Sequence, residues 1–137
     1  MPYNAKQAGA SYEALFAAEA LRRGLNVLQP FGDYLAYDLI VENKRNKITR
    51  VQVKGTTHKQ TGRNSTYKIS ASSGNCKTGK TKITEDKADV IAIYVAPVDI
   101  WYHVPTKHVK AATMTMRPVS DSKAQYEIWR DAWNTYF

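Results

Sequence analysis

The chain has 137 residues, 43% hydrophobic and 23% charged, which suits one domain (1–137) with a real core and leaves little room for two. No apolar run approaches the roughly 20 residues that cross a bilayer, the opening stretch MPYNAKQAGASYE lacks the apolar core of a secretory signal, and the single cysteine, Cys76, excludes an intramolecular disulfide. The formal net charge is +8, and its excess lies between Glu42 and Lys87, where 12 Lys/Arg stand against 3 Asp/Glu; the remainder has 8 against 9. A membrane partner is thereby set aside, and a cytoplasmic setting is expected. A basic block of this kind attracts polyanions, nucleic acid above all. The bland alternative is a solvated face.

In chain order, Ala5 to Arg23 (AKQAGASYEALFAAEALRR) carries Leu15, Ala18 and Leu21 at threes, beside Ala14 and Ala17, and Gly24 follows. That pattern predicts an amphipathic helix. A short strand is expected at Asn26–Gln29, a turn at PFGD, a strand at Leu35–Val41 and another at Ile48–Lys54, with ENKRNK as a hairpin connection. Residues 55–84 are polar, basic and rich in Gly, Ser and Thr, with only Tyr67–Ser70 strand-like; so long a connection suggests binding. Asp89–Val95 (DVIAIYV) reads as a strand buried on both faces, with Ile100–Val104 antiparallel to it. Tyr126, Trp129 and Trp133, at helical spacing, predict a second amphipathic helix over 122–136. One mixed sheet with helices against it is the expected α/β (α+β) architecture.

Polar residues inside the two central strands need a reason. Along ITRVQVK, Val51 and Val53 point one way and Gln52 and Lys54 the other. In LAYDLIV, Asp38 interrupts an apolar run. A hairpin of favourable register makes Asp38, Gln52 and Lys54 neighbours. Mg²⁺ takes hard oxygen ligands and few from protein; Asp38 offers a carboxylate, Gln52 an amide oxygen and Val53 its backbone carbonyl. Lys54 is then suited to neutralise the charge that builds on a phosphate under attack, or to orient the attacking water. Taken singly, each of these residues is more often a solvated strand residue.

Together they resemble the PD-(D/E)xK nucleases, whose pattern is an acid on the first helix, an Asp on the second strand and a (D/E/Q)xK tripeptide on the third. Here those are Glu13 (in SYEAL), Asp38 and Gln52-Val53-Lys54. The chain is similar to the branch with glutamine in the tripeptide, which includes an intron-encoded homing endonuclease, in the segments PFGDYLAYDLIV, RVQVKGT, ADVIAIYV and WYHVP. Archaeal Holliday junction resolvases, with glutamate in the tripeptide, are a more distant likeness. The resemblance covers roughly residues 9 to 109, not the tryptophan-rich tail. It implies a restriction-endonuclease-like fold, with Asp38 binding the metal and Gln52 in the second acidic ligand's place. It further implies that Lys54 is the catalytic lysine and that Glu13 completes the metal site or holds its waters. Glu19, on the same helix, is the alternative to Glu13.

GNCKTGKT (Gly74–Thr81) satisfies the phosphate-loop pattern, but too few residues separate it from Asp89 for the helix that this mechanism needs. No nucleotide cofactor is expected. The loop reads instead as DNA-backbone contact through Lys77, Lys80 and Lys82, joined by Lys59, Arg63 and Lys68. His58, close after the tripeptide, is either a helper at the site or, more commonly for such a position, an exposed loop histidine; His103 and His108 lack metal-ligand spacing, and Cys76 lacks a catalytic partner pattern.

The expectation is therefore an endonuclease that uses Mg²⁺, with Mn²⁺ able to substitute. Its DNA is double-stranded or branched: a specific sequence, as for a homing enzyme, or a four-way junction. One site per 15.5 kDa subunit calls for a homodimer or homotetramer to cut two strands, with the aromatic C-terminal helix as candidate interface. The alternatives are a non-catalytic DNA-binding module with the same fold and a nucleotide-binding protein.

Overall fold

The computed structural model describes residues 4–57, 59–60, 62, 65–72 and 81–137. The first helix, α1 (Ala5–Arg22), starts at Asn4, whose side-chain oxygen accepts the backbone N–H groups of Lys6 and Gln7. This satisfies two of the donors that a helix start leaves without partners. Gly24, at φ 85°, takes the left-handed conformation that ends the helix.

Among the described residues seven strands follow: β1 (Asn26–Leu28), β2 (Leu39–Glu42), β3 (Ile48–Thr56), β4 (Tyr67–Ser70), β5 (Val90–Val95), β6 (Ile100–Pro105) and β7 (Thr113–Met116). Five form a sheet in the order β1-β2-β3-β5-β6, and β4 pairs with β7 in a separate ribbon. β3 and β5 run parallel; every other pairing is antiparallel. The fold is the expected mixed sheet, although among the described residues one α-helix, not several, packs on it.

Alternation along β5 and β6 builds two cores. Val90, Ala92 and Trp101 join Phe16 and Ala20 of α1, together with Val51 and Val53. Ile91, Ile93, Tyr102 and Val104 face the other way, against Tyr67 and Ile69 of β4 and Met114 and Met116 of β7. A strand covered on both faces needs the unbroken apolar run that DVIAIYV supplies. Among the described residues no helix is long and apolar enough to cross a membrane.

Three expectations are corrected. The strand expected from Leu35 begins only at Leu39. The ribbon strand β7 carries no sequence signal that was read as a strand. The tail is not a helix over 122–136: it forms two short 3-10 turns, Glu127–Trp129 and Trp133–Tyr136. Asp131, in the middle of that span, sits at φ 49°, which an α-helix cannot contain. Arg130 meanwhile bridges to Tyr102 on the β6 edge. The reason is topological. Tyr126 packs into the β4–β7 core, whereas Trp133 and Tyr136 pack into the α1 core. A single helical stripe cannot serve both faces of a sheet, so the tail wraps around the edge.

Candidate active site

The β2–β3 hairpin sets the register. Leu39 stands opposite Val51, which brings Asp38 opposite Gln52. The Asp38 backbone N–H donates to the Val51 carbonyl at 2.9 Å. One step further the ladder is continued by a side chain: Asp38 Oδ2 accepts the Val53 N–H at 2.7 Å. A strand residue's N–H and C=O point to the same side, so the Val53 carbonyl also turns toward the gap left where β2 ends. The late start of β2 is thus the opening of the site.

That opening is a cleft of about 300 Å³ lined by Glu13, Asp38, Gln52, Val53 and Lys54, with Tyr12 and Gly55 beside them. The two acids, the amide and the lysine singled out from sequence therefore meet in one place. Glu19 does not: it is paired with Arg22 and Arg23 at 3.0 and 2.5 Å. Val51 and Val53 are buried and Gln52 and Lys54 half-buried, as the strand alternation requires.

Gly55 explains how α1 approaches so closely. A Cβ there would lie 2.2 Å from ring atoms of Tyr12, well inside contact distance. The ring rests on the bare backbone of β3, and Glu13 is the next residue along the helix.

The electrostatics are those of a cation site. Burial pushes the Asp38 carboxyl above its ordinary range; the Val53 N–H and Lys54 pull it back, and Asp33 adds to the rise. Glu13 is also raised, first by burial and then by the charges of Asp38 and Asp33. Gln52 Oε1 is buried with no hydrogen-bond partner among the described residues, an arrangement that costs about 1–3 kcal/mol unless something fills it. Two carboxylates, an orphaned amide oxygen and a carbonyl make a set of hard oxygen donors that fits a divalent cation. Among the described residues no group of three His, Cys, Asp or Glu is arranged for a metal, because Gln52 stands where a third such residue would count.

A larger cleft, about 450 Å³, lies toward the opposite end of β3 and β5. Of its two carboxylates, Glu85 and Asp89, the latter is already engaged: Arg50 donates to both of its oxygens at 3.0 and 3.2 Å. Size therefore does not identify the site; unsatisfied groups do.

Of the expected DNA contacts, Lys59 and Lys68 are exposed, Lys68 on β4 and Lys59 bridged to Tyr67. Lys82 is exposed as well, and its ammonium donates to the Val109 carbonyl at 3.2 Å. Arg63, Lys77 and Lys80, together with His58, Cys76 and most of GNCKTGKT, lie outside the described residues. His103 is fully buried and His108 stacks on Trp129. Sequence reasoning missed Asp33, taken only as part of a turn, and the Tyr12–Gly55 contact, for which a glycine directly after the tripeptide was the available signal.

A mixed five-stranded sheet whose central hairpin opens onto paired carboxylates defines a nuclease-type fold. The chain belongs to the PD-(D/E)XK endonuclease family, which it matches over residues 3–136. Its fold is similar to that of a bacterial homing endonuclease, I-Ssp6803I, at TM-score 0.80 and 21% identity, covering 97% of this chain and 93% of the other. It is also similar to Archaeoglobus fulgidus Hjc, a Holliday junction resolvase from an archaeal hyperthermophile, at TM-score 0.51 and 13% identity, covering 80% and 84%. No protein of curated function matches the sequence.

Proposed function

We propose that the chain is a divalent-metal-dependent DNA endonuclease that hydrolyses phosphodiester bonds. Its metal is Mg²⁺, with Mn²⁺ able to replace it. The observation that carries this reading is the buried, unpartnered Gln52 Oε1 beside Asp38, Glu13 and Lys54 in one cleft. In this reading Asp38, Gln52 and the Val53 carbonyl hold the ion, and Glu13 completes the shell or orients its waters. The ion, when bound, supplies Lewis-acid polarisation of the phosphate and a more acidic water.

The chain's own groups do the rest. The Val53 N–H occupies Asp38 Oδ2, which fixes the carboxylate's rotation and leaves Oδ1 for the cation. Lys54 donates to the phosphate oxygen on which charge builds as water adds to phosphorus, before the bond to the leaving oxygen breaks. Exposed Lys59 and Lys68, with Arg63, Lys77, Lys80 and Lys82, contact the DNA backbone and set position without reading sequence. The DNA is a specific sequence or a branched structure, and cutting two strands takes a homodimer or homotetramer.

The test is cleavage of supercoiled plasmid and of a synthetic four-way junction in Mg²⁺ by wild type and Lys54→Ala. Wild type cuts at least one substrate, while Lys54→Ala binds DNA and loses cleavage by about 100-fold or more, the scale of a lost charge-stabilising group. Binding without cleavage by wild type on every substrate would mark a non-catalytic DNA-binding module instead.

A further inference from the structure

The loop between β1 and β2, which returns to the cleft through Asp38, leaves two aromatic rings in water. Phe31 is 98% exposed and Tyr34 80%, whereas Tyr37, on the same loop, packs against the β4–β7 core. Two further side chains of that size could have been buried with large gain, and the fold leaves both outside.

The loop's place is fixed at both ends. It leaves β1 at Leu28 and returns through Asp38, whose amide and carboxylate are bonded to Val51 and Val53. Between the aromatics, Gly32 turns at φ 89°, and a Cβ there would meet the Tyr34 ring at 3.1 Å. Phe31 and Tyr34 therefore flank one tight turn. Asp33, in that turn, lies close enough for its charge to act on both Asp38 and Glu13. On the other strand of the hairpin, β3 leads from Lys54 toward exposed Lys59. The cleft to which the loop returns carries Lys54, in a chain whose net charge is +8.

We propose that Phe31 and Tyr34 are a stacking element for the DNA bases that flank the scissile phosphate. The proposal rests on the endonuclease reading, since a phosphate near Lys54 brings its neighbouring bases to the rim of the cleft. Aromatic faces stack on any base, and apolar side chains of this kind wedge into base steps. A second copy of the chain is the competing occupant. DNA is favoured because a chain of net charge +8 attracts a polyanion and repels a second copy of itself.

The experiment uses the full chain carrying Lys54→Ala, with p-benzoylphenylalanine in place of Phe31. It is irradiated with a fluorescein-labelled four-way junction, and separately with a linear duplex of the same arm sequence. The expected product is a protein–DNA adduct. In the same background Phe31→Ser and Tyr34→Ser each weaken binding to the better substrate by about 10-fold, with an unchanged Tm, because neither ring is in a core. An adduct between two protein chains, or serine variants that bind as the parent does, overturns the proposal and assigns the loop to self-association or to no contact. If the parent binds neither substrate and wild type cuts nothing, the endonuclease reading itself fails, and the stacking element falls with it.

Discussion

Gln52 carries a cost and a use at the same atom. Its Oε1 is buried without a partner among the described residues, and both neighbouring carboxyls are raised from their ordinary values: Glu13 first by burial and then by the charges of Asp38 and Asp33, Asp38 first by burial and further by Asp33. A cation relieves all three. If that is the role of the amide, Gln52→Met, of similar length and without the oxygen, raises stability by about 1 kcal/mol in urea unfolding. The same variant increases the Mg²⁺ needed for half-maximal cleavage by about 10-fold or more, whereas Gln52→Glu, which restores a charge, lowers it. A methionine variant that unfolds more easily and keeps its metal requirement would show that the amide serves the fold. Gly55 is a steric case. An alanine there drives a methyl into Tyr12, so Gly55→Ala destabilises by about 1–3 kcal/mol and shifts the helix that presents Glu13. Adding Tyr12→Ala makes room for that methyl. A double-mutant cycle in thermal unfolding should therefore show strong coupling between the two positions, and additive losses would mean that the ring is not held by that contact.

At the scale of elements, the tail is the clearest departure from the sequence pattern. Trp133 stacks on Phe16 at 5.4 Å between centroids and lies 4.2 Å from the His103 ring, under the guanidinium of Arg23. Trp133→Ala is expected to cost about 3–5 kcal/mol in chemical denaturation and to leave subunit mass unchanged in sedimentation, because the ring is inside its own chain. A change in mass with little loss of stability would return it to an interface. The tail's aromatic spacing was visible; which face each ring would serve was not, because that depends on where the β6 edge lies. β5 was legible because burial on both faces leaves a run of apolar residues with no gap. Asp38, Gln52 and Lys54 were legible for the opposite reason, as polar groups in strands that otherwise alternate. Their register was not, since a hairpin's pairing depends on how tightly its turn closes. Asn43 closes this one: its side-chain oxygen accepts from Arg45 and Lys47, and its amide donates to the Tyr136 carbonyl. The hairpin that builds the site is thus tied to the last residues of the chain.

For the molecule as a whole, the junction of helix, sheet and tail is centred on His103, and its chemistry makes stability depend on pH. The side chain is fully buried among Phe16, Trp101, Trp133 and Tyr136. Its Nδ1 is hydrogen-bonded with the Tyr136 hydroxyl at 2.7 Å, and its Nε2 has no partner among the described residues. Tyr136 stays neutral, its own pKa pushed up by burial. The charge acting on the ring is that of Arg23, at the C-terminal end of α1, which opposes protonation. Burial, with Arg23 adding to it, lowers the histidine pKa from 6.5 to about 3. In the unfolded chain the ring titrates near 6.5. Between about pH 6.5 and 3 the unfolded state therefore binds a proton that the folded state refuses. Stability is unaffected above that window and falls as pH drops through it, by about 1.4 kcal/mol per pH unit. Glu13 and Asp38, whose folded pKa values are raised, act in the opposite sense within the carboxylate range, so the comparison must isolate the histidine. His103→Asn keeps a polar atom near the Tyr136 hydroxyl and removes the titration. It is less stable than wild type at pH 7 because the ring is lost, but its deficit shrinks by about 2 kcal/mol between pH 6.5 and 5. Urea unfolding of both proteins across that range reads the difference directly. Parallel curves would mean that the ring takes up its proton while folded, and that the helix, sheet and tail do not close over it as tightly as the packing requires.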